Sequence, residues 1–217
     1  MNKVFIDLGG NAGQTVIRFY EEVPDASNWI IYSFEPLMFD LLLAGTKKYR
    51  KRYSNVNCIK AAAGKVSGKT RIYPSLKKHS PGSTILLGKT TGSIFYEGGI
   101  EVNEIDFVPW FKENTQPDDF VILKMNIEGG EYDLMPGLLE IMPRIAGLYI
   151  KLHHYKFENS QRLKMLQIYE DFKLNIQKYT TFAFCDAFEG KDESKGNYRF
   201  LWMLQEIEKH SKSICSG

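Results

Sequence analysis

Cysteine is scarce in this chain: Cys58, Cys185 and Cys215 are its three copies in 217 residues. So few and so widely spaced, they supply neither a disulfide framework nor a CxxC metal pair, and a reducing compartment follows as the expectation. Long apolar runs are missing as well. Nowhere do about 18 apolar residues follow one another, the length a membrane-spanning helix needs. The first residues also lack the basic region and apolar stretch of a secretory signal, because Asp7 interrupts the first apolar run. Neither sign of charge dominates: 28 basic and 26 acidic side chains leave a formal net charge of +2, too balanced to surround the molecule with a strong field. Histidine numbers four, His79, His153, His154 and His210, with no metal-ligand spacing among them. The resulting expectation is a cytoplasmic protein without a membrane segment or a metal. Oligomeric state has no signature here.

What is abundant is short apolar segments. With 43% hydrophobic residues the chain can bury a full core, and its length suits one domain over 1–217. Apolar runs alternate with amphipathic stretches: Val4–Leu8 then Gln14–Glu22, Ile30–Phe34 then Met38–Tyr49, Val56–Ile59, Phe120–Met125 then Tyr132–Ile141, and Leu148–Leu152 then Gln161–Ile176. This βαβα rhythm predicts a parallel sheet with helices on both faces. In the last helix Leu163, Leu166, Tyr169, Phe172 and Ile176 recur at spacings of three and four, which predicts a buried stripe. The chain then changes pattern, with Tyr179–Phe184 and Tyr198–Leu204 flanking a polar loop, and this reads as an antiparallel edge pair. Between about 65 and 101 the rhythm is broken by Gly68, Pro74, Pro81, Gly82, Gly88, Gly92, Gly98 and Gly99. The expectation there is a mobile insertion or lid.

Two segments concentrate chemistry. In VFIDLGGNAGQT, Val4 to Thr15, Gly9, Gly10 and Gly13 follow a strand and open a helix, so the backbone can approach a nucleotide-containing ligand. Asn11 stands where a dinucleotide fingerprint places its second glycine, which disfavours a nicotinamide cofactor. The next strand ends in Phe34, Glu35 and Pro36, and a carboxylate there can accept both ribose hydroxyl protons. In VILKMNIEGGEY, Val121 to Tyr132, a strand suddenly gathers Lys124, Asn126, Glu128 and Glu131 around two glycines. Charges crowded at the carboxyl end of a strand belong to a site more often than to a surface, although Glu131 equally suits a helix N-terminus.

Through DLGGNAGQT, through FEP at Phe34–Pro36 and through KMNIEGGEYDLMPG at Lys124–Gly137, the sequence resembles the FkbM family of S-adenosylmethionine-dependent methyltransferases. Weaker echoes are Ala61–Gly64 and Ile105–Asp106. The resemblance implies a Rossmann-like class I methyltransferase fold, a seven-stranded, mostly parallel sheet whose last strand is antiparallel. It carries Asp7, Gly9, Asn11 and Gly13 to the methionine part of S-adenosyl-L-methionine, and Glu35 to its ribose. Gly10, Thr15, Pro36, Ala62 and Asn126 complete the implied contacts. Two positions depart from the family: Asn126 replaces the usual Asp, and Lys151 replaces the Glu that usually stands two residues before the histidine at 153.

The activity implied is methylation of a hydroxyl on a small molecule or glycan. An alcohol needs to lose its proton, and His153 is the expected base, with Glu128 or Lys124 shaping the acceptor pocket. Lys47, Lys48, Arg50, Lys51, Arg52, Lys65, Lys69, Arg71, Lys77, Lys78 and Lys89 offer a basic rim for an anionic acceptor such as a nucleotide sugar or RNA, the one support for a nucleic-acid methyltransferase as the alternative; ordinary solvated charge is favoured over that. A cofactor-binding protein that has lost catalysis is the remaining alternative, resting on Asn126 and Lys151.

Overall fold

The computed structural model describes residues 1–78, 82–179 and the strand at 182–186. Strand β1 (Lys3–Leu8) is buried on both faces: Val4, Ile6 and Leu8 turn into one core cluster and Phe5 into another. This follows from the period-two alternation of a strand. The same alternation recurs in β7 (Phe120–Met125) and β8 (Ile145–Lys151), where Ile122 and Tyr149 join Phe5 while Leu123 and Leu148 join Ile6.

Such strands need cover on both sides. Helix α1 (Gln14–Glu22) lays Val16 and Phe19 over the Phe5 face. Phe19 stacks on Phe5 at 4.5 Å and meets Trp29 edge-on at 5.1 Å, each contact adding about 0.5–1.5 kcal/mol beyond simple burial. Helices α3 (Phe107–Asn114), α4 (Glu131–Ile141) and α5 (Asn159–Ile176) cover the opposite face through Phe107, Phe111, Leu138 and Phe172. Helix α2 (Phe39–Tyr53) packs beside α1.

Strands β2 (Trp29–Phe34) and β3 (Val56–Ile59) extend the sheet on one side of β1, and β7, β8 and β9 (Phe182–Asp186) on the other, in the order β3-β2-β1-β7-β8-β9. Every described pairing in this sheet is parallel. The order reverses between β1 and β7, and at such a switch point the two crossovers leave in opposite directions and open a crevice at the carboxyl ends of the strands.

Three expectations change. The described sheet has six parallel strands, not seven: the segment starting at Tyr179 yields β9, parallel to β8, and the expected antiparallel strand at Tyr198–Leu204 lies outside the described residues. The 65–101 segment is partly woven into a second sheet, in which β6 (Ile100–Asp106) pairs parallel with β4 (Ala62–Gly64) and antiparallel with β5 (Gly68–Ile72). β4 has three residues, and β5 and β6 are largely polar and exposed, so their alternation is faint. In α5 Phe172 is buried and Tyr169 and Ile176 pack against the same core as expected, but Met165 takes the place of Leu163, which is 68% exposed. Counting back from Phe172 by one and two turns of 3.6 residues favours Met165 over Leu163.

Among the described residues, no helix is long and apolar enough to cross a membrane.

Candidate active site

The glycine loop leaves β1 with Gly9 at φ 91° and Asn11 at φ 45°. Gly9 and Gly10 both donate their N–H groups to the Phe34 carbonyl, at 3.1 and 2.9 Å, which pins the loop to the end of β2. A Cβ on Gly9 would lie 2.1 Å from the Asn126 carbonyl oxygen. Glycine is therefore required by the close passage of the chain after β7 as well as by φ. Asn11 caps its own turn, its Oδ1 accepting from Ala12 N at 2.8 Å.

Glu35 braces the facing wall. Its Oε2 accepts from Asn11 N at 2.8 Å, and its Oε1 from Leu37 N and Met38 N, both at 2.9 Å. One carboxylate thereby ties the glycine loop to the chain entering α2. A carboxylate has about four acceptor positions, so three backbone donors leave capacity for a ligand.

Behind this floor lies an ion pair. The register sets Asp7 between Ser33 and Lys124; Lys124 Nζ donates to Asp7 Oδ1 at 2.7 Å, and Ser33 Oγ to Asp7 Oδ2 at 3.2 Å. Asp7 is fully buried and Lys124 nearly so. The cation beside Asp7 is thus the protein's own, and Lys124 is engaged with it. Asn126, which follows, presents a buried Oδ1 with no hydrogen-bond partner among the described residues.

The loop after β7 turns at Glu128, with φ 57°, and is held from below by Glu131. The two Glu131 oxygens accept from Ile127 N at 2.7 Å and Gly129 N at 2.8 Å, a local cap of the kind its helix-start position favours. Glu131 Oε1 is also 2.9 Å from His153 Nδ1. His153 is completely buried and lies beneath Glu128, with Nε2 3.4 Å from Glu128 Oε1. The neighbouring His154 is buried too, its Nδ1 2.8 Å from the Tyr132 hydroxyl.

Glu128 also reaches two lysines. Lys156 Nζ donates at 3.0 Å and Lys89 Nζ at 2.6 Å, both to Oε2. Burial by itself would raise the Glu128 pKa; the charges of His153, Lys89 and Lys156 outweigh it and hold the carboxyl well below the usual range. Burial lowers the Lys89 pKa, and Glu128 opposes that only in part. Lys89 also donates to the Gly82 carbonyl, and its segment is fastened at several other points. Thr84 Oγ1 donates to the Glu128 carbonyl at 2.9 Å, Thr90 N to the Lys156 carbonyl at 2.7 Å, and Glu158 N to the Gly88 carbonyl at 3.1 Å. Residues 82–90 form a strap across the carboxyl edge of β7 and β8.

Strap, glycine loop and strand ends enclose a cleft of about 340 Å³ at the switch point. A family model described as the methyltransferase FkbM domain matches residues 7–184. The chain belongs to the FkbM methyltransferase family. No curated protein and no solved structure matches it.

In this FkbM chain Gly9, Gly10, Asn11, Thr15, Glu35, Pro36, Ala62 and Asn126 line the cleft together, as do Lys124 and Glu128. Asp7 and Gly13 do not. Gly13 instead caps α1, and a Cβ there would meet Thr46 at 2.9 Å. His153 is also absent from the lining and is completely buried. Lys151, at the end of β8, reaches the cleft.

Lys89 leaves the basic rim: it is 4% exposed and spent on Glu128. Its burial and that of Lys156 carried no signal in the sequence, because nothing in the local pattern marks a lysine that finds a distant carboxylate. Among the described residues no group of three or more His, Cys, Asp or Glu is placed to hold a metal ion.

Proposed function

We infer that this FkbM-family protein is a methyltransferase that uses S-adenosyl-L-methionine to methylate a hydroxyl on a small molecule or glycan. The reading rests above all on one observation: the glycine loop, Glu35 and Asn126, far apart in sequence, border a single cleft at the switch point. The unpartnered Asn126 Oδ1 is an acceptor suited to the cofactor's ammonium group. The start of α1 suits its carboxylate, and the spare capacity of Glu35 suits its ribose hydroxyls. When bound, the cofactor supplies a methyl group already activated by a sulfonium leaving group.

The protein's own part is alignment and exclusion of water. Gly82, Ser83 and Ile85 of the strap wall the side of the cleft that Glu128 also borders. An anionic Glu128 there accepts a hydrogen bond from an acceptor hydroxyl and turns an oxygen lone pair toward the methyl. Held far below the ordinary carboxyl range, Glu128 is a better orienting acceptor than a proton store. A second reading, binding without transfer, is favoured by the cation Lys151 at the cleft edge, where the family resemblance leads one to expect a carboxylate.

Calorimetry with S-adenosylmethionine and S-adenosylhomocysteine tests the cofactor. Mass analysis of sugars, phenols and capped RNA after incubation then tests transfer. Tight binding with methylated sugar or phenol is the expected outcome; binding without any methylated product supports the second reading, and no binding removes both.

A further inference from the structure

Twelve of the 28 basic side chains, and none of the 26 acidic ones, fall between Asp40 and Glu97. A chain that is nearly neutral as a whole therefore carries segregated charge. Folding neutralises part of it: Lys65 meets Asp133 at 3.3 Å, Lys69 meets Glu101 at 3.9 Å, and Lys89 is buried against Glu128. The cations of α2 find no such partner. Lys47, Lys48, Lys51 and Arg52 are exposed, and none of them pairs with a carboxylate among the described residues. Positions 47 and 51, like 48 and 52, are four apart, so the four side chains share one side of the helix. Of the acids on or beside this helix, Asp40 stands in its first turn, and Glu21 of α1 is bridged to Arg18 at 3.5 Å. The helix dipole favours cations in the last turn, where Arg50, Lys51 and Arg52 stand, but that pull fades beyond it. Lys47 and Lys48 lie before that turn.

The cations start at the cleft rim. Met38, just before α2, and Ala61 both border the cleft, and Lys60 Nζ lies 5.6 Å from the Phe39 ring centroid. At about 1.5 Å of rise per residue, Lys47 stands about 12 Å and Arg52 about 20 Å along the axis from Phe39. Cations spread over more than a Debye length of about 8–10 Å act together on an extended polyanion rather than on one small anion.

The surroundings of these charges discriminate among polyanions. A membrane surface calls for apolar side chains that insert beside the cations, and the exposed large apolar side chains, among them Leu76, Leu87 and Leu163, lie off α2. Single-stranded nucleic acid calls for aromatic faces on which bases stack. Tyr49 and Tyr53 already stack on Tyr20, with centroids 4.3 and 5.3 Å apart, and Lys48 and Arg52 lie over their rings. What the face offers is charge without a vacant stacking platform, which suits the carboxylates of a sugar chain.

We propose that this face of α2, with Lys60 at its cleft end, docks an acidic glycan, a sugar chain bearing carboxylates. That the docked glycan is the methyl acceptor rests on the methyltransferase reading; the docking itself does not.

The test is calorimetry on the full chain with oligogalacturonate, and with its fully methyl-esterified form as the uncharged counterpart. The acidic oligomer is expected to bind, more weakly at about 200 mM than at about 50 mM salt, and the esterified one not to bind. Lys47→Gln, Lys48→Gln, Lys51→Gln and Arg52→Gln combined are expected to weaken binding about tenfold or more, with melting temperature and S-adenosylmethionine affinity unchanged. The pair Lys47→Gln and Lys51→Gln leaves the cations over Tyr49 and Tyr53 in place; it is expected to give part of that loss, and it decides the matter should the fourfold variant lose stability. Lys164→Gln with Lys173→Gln, on α5, is expected to change nothing. An oligogalacturonate that does not bind, or that binds these α2 variants undiminished, overturns the proposal. So does tighter binding of RNA oligomers or of phosphatidylserine vesicles. Glycan binding by a protein that binds no S-adenosylmethionine upholds the docking face and removes only the methyltransferase reading; cofactor binding without glycan binding removes the docking face alone.

Discussion

Lys89 Nζ lies 2.6 Å from Glu128 Oε2, and this ion pair joins the strap of residues 82–90 to the loop that follows β7. Its two ends are 39 positions apart, and the lysine side chain is 1% exposed. A buried pair is sensitive to the loss of one partner, because the survivor keeps its desolvation cost without its attraction. Here Lys156 and His153 still face Glu128, which softens the loss. Lys89→Met is expected to destabilise the protein by about 2–4 kcal/mol and to expose the strap to limited proteolysis. Urea unfolding and protease mapping of the same variant check the two effects together.

The same pair sets an acid limit. The folded Glu128 carboxyl sits below its unfolded value of about 4.3, since the surrounding cations outweigh the burial that would raise it. Between those two values the unfolded chain binds the extra proton, so stability is full above about pH 5 and declines as pH falls. Unfolding free energy measured from about pH 6 to pH 3 is expected to fall in the unaltered protein. Glu128→Gln is expected to flatten part of that decline.

Glu35 ties three backbone donors at once. Glu35→Ala strands Asn11, Leu37 and Met38 N–H groups at the cleft wall, each worth about 1 kcal/mol when its partner is lost to a partly wet site. We expect a lower melting temperature and at least about tenfold weaker S-adenosylmethionine binding by calorimetry, with 1.4 kcal/mol corresponding to about tenfold. Undiminished affinity would show that the ribose assignment is misplaced.

Asn126 offers a contrasting case. Its Oδ1 bonds to nothing among the described residues, so Asn126→Ala is expected to change stability by less than about 0.5 kcal/mol while weakening the cofactor about tenfold. Paired thermal melts and calorimetry separate the two outcomes.

In α5 the register is open to a direct check. Phe172→Ala is expected to cost about 3–5 kcal/mol, as for other buried aromatics, whereas Leu163→Lys is expected to cost under about 0.5 kcal/mol because Leu163 is 68% exposed. Denaturant midpoints of the two variants decide the helix face.

Much of the frame was legible because its causes are local. Period-two apolar runs in β1, β7 and β8 predict strands buried on both faces, and glycines followed by an amphipathic stretch predict the loop and α1. Glu35 and Asn126 could be placed at strand ends without coordinates, since a strand's carboxyl end is written in the point where its apolar run stops. The family motifs lie at those same ends, which is why most of the expected cofactor contacts border one cleft.

What needed the tertiary structure was the choice of partners. Asp7 and Lys124 are 117 positions apart, and either could have faced a ligand; parallel pairing of β1 with β7 sets them side by side, so that Asp7 is withdrawn from the cleft and Lys124, which still lines it, is paired to Asp7. Lys89 reads as one more solvated charge until the strap carries it under Gly82. His153 follows a strand end, where a base is expected, yet the packing of α4 and the Glu128 loop buries it below the cleft. Local patterns record which residues are apolar and where backbone must turn. The burial of a charge depends instead on the opposite charges that the folded chain brings to it, and no short window of sequence contains them.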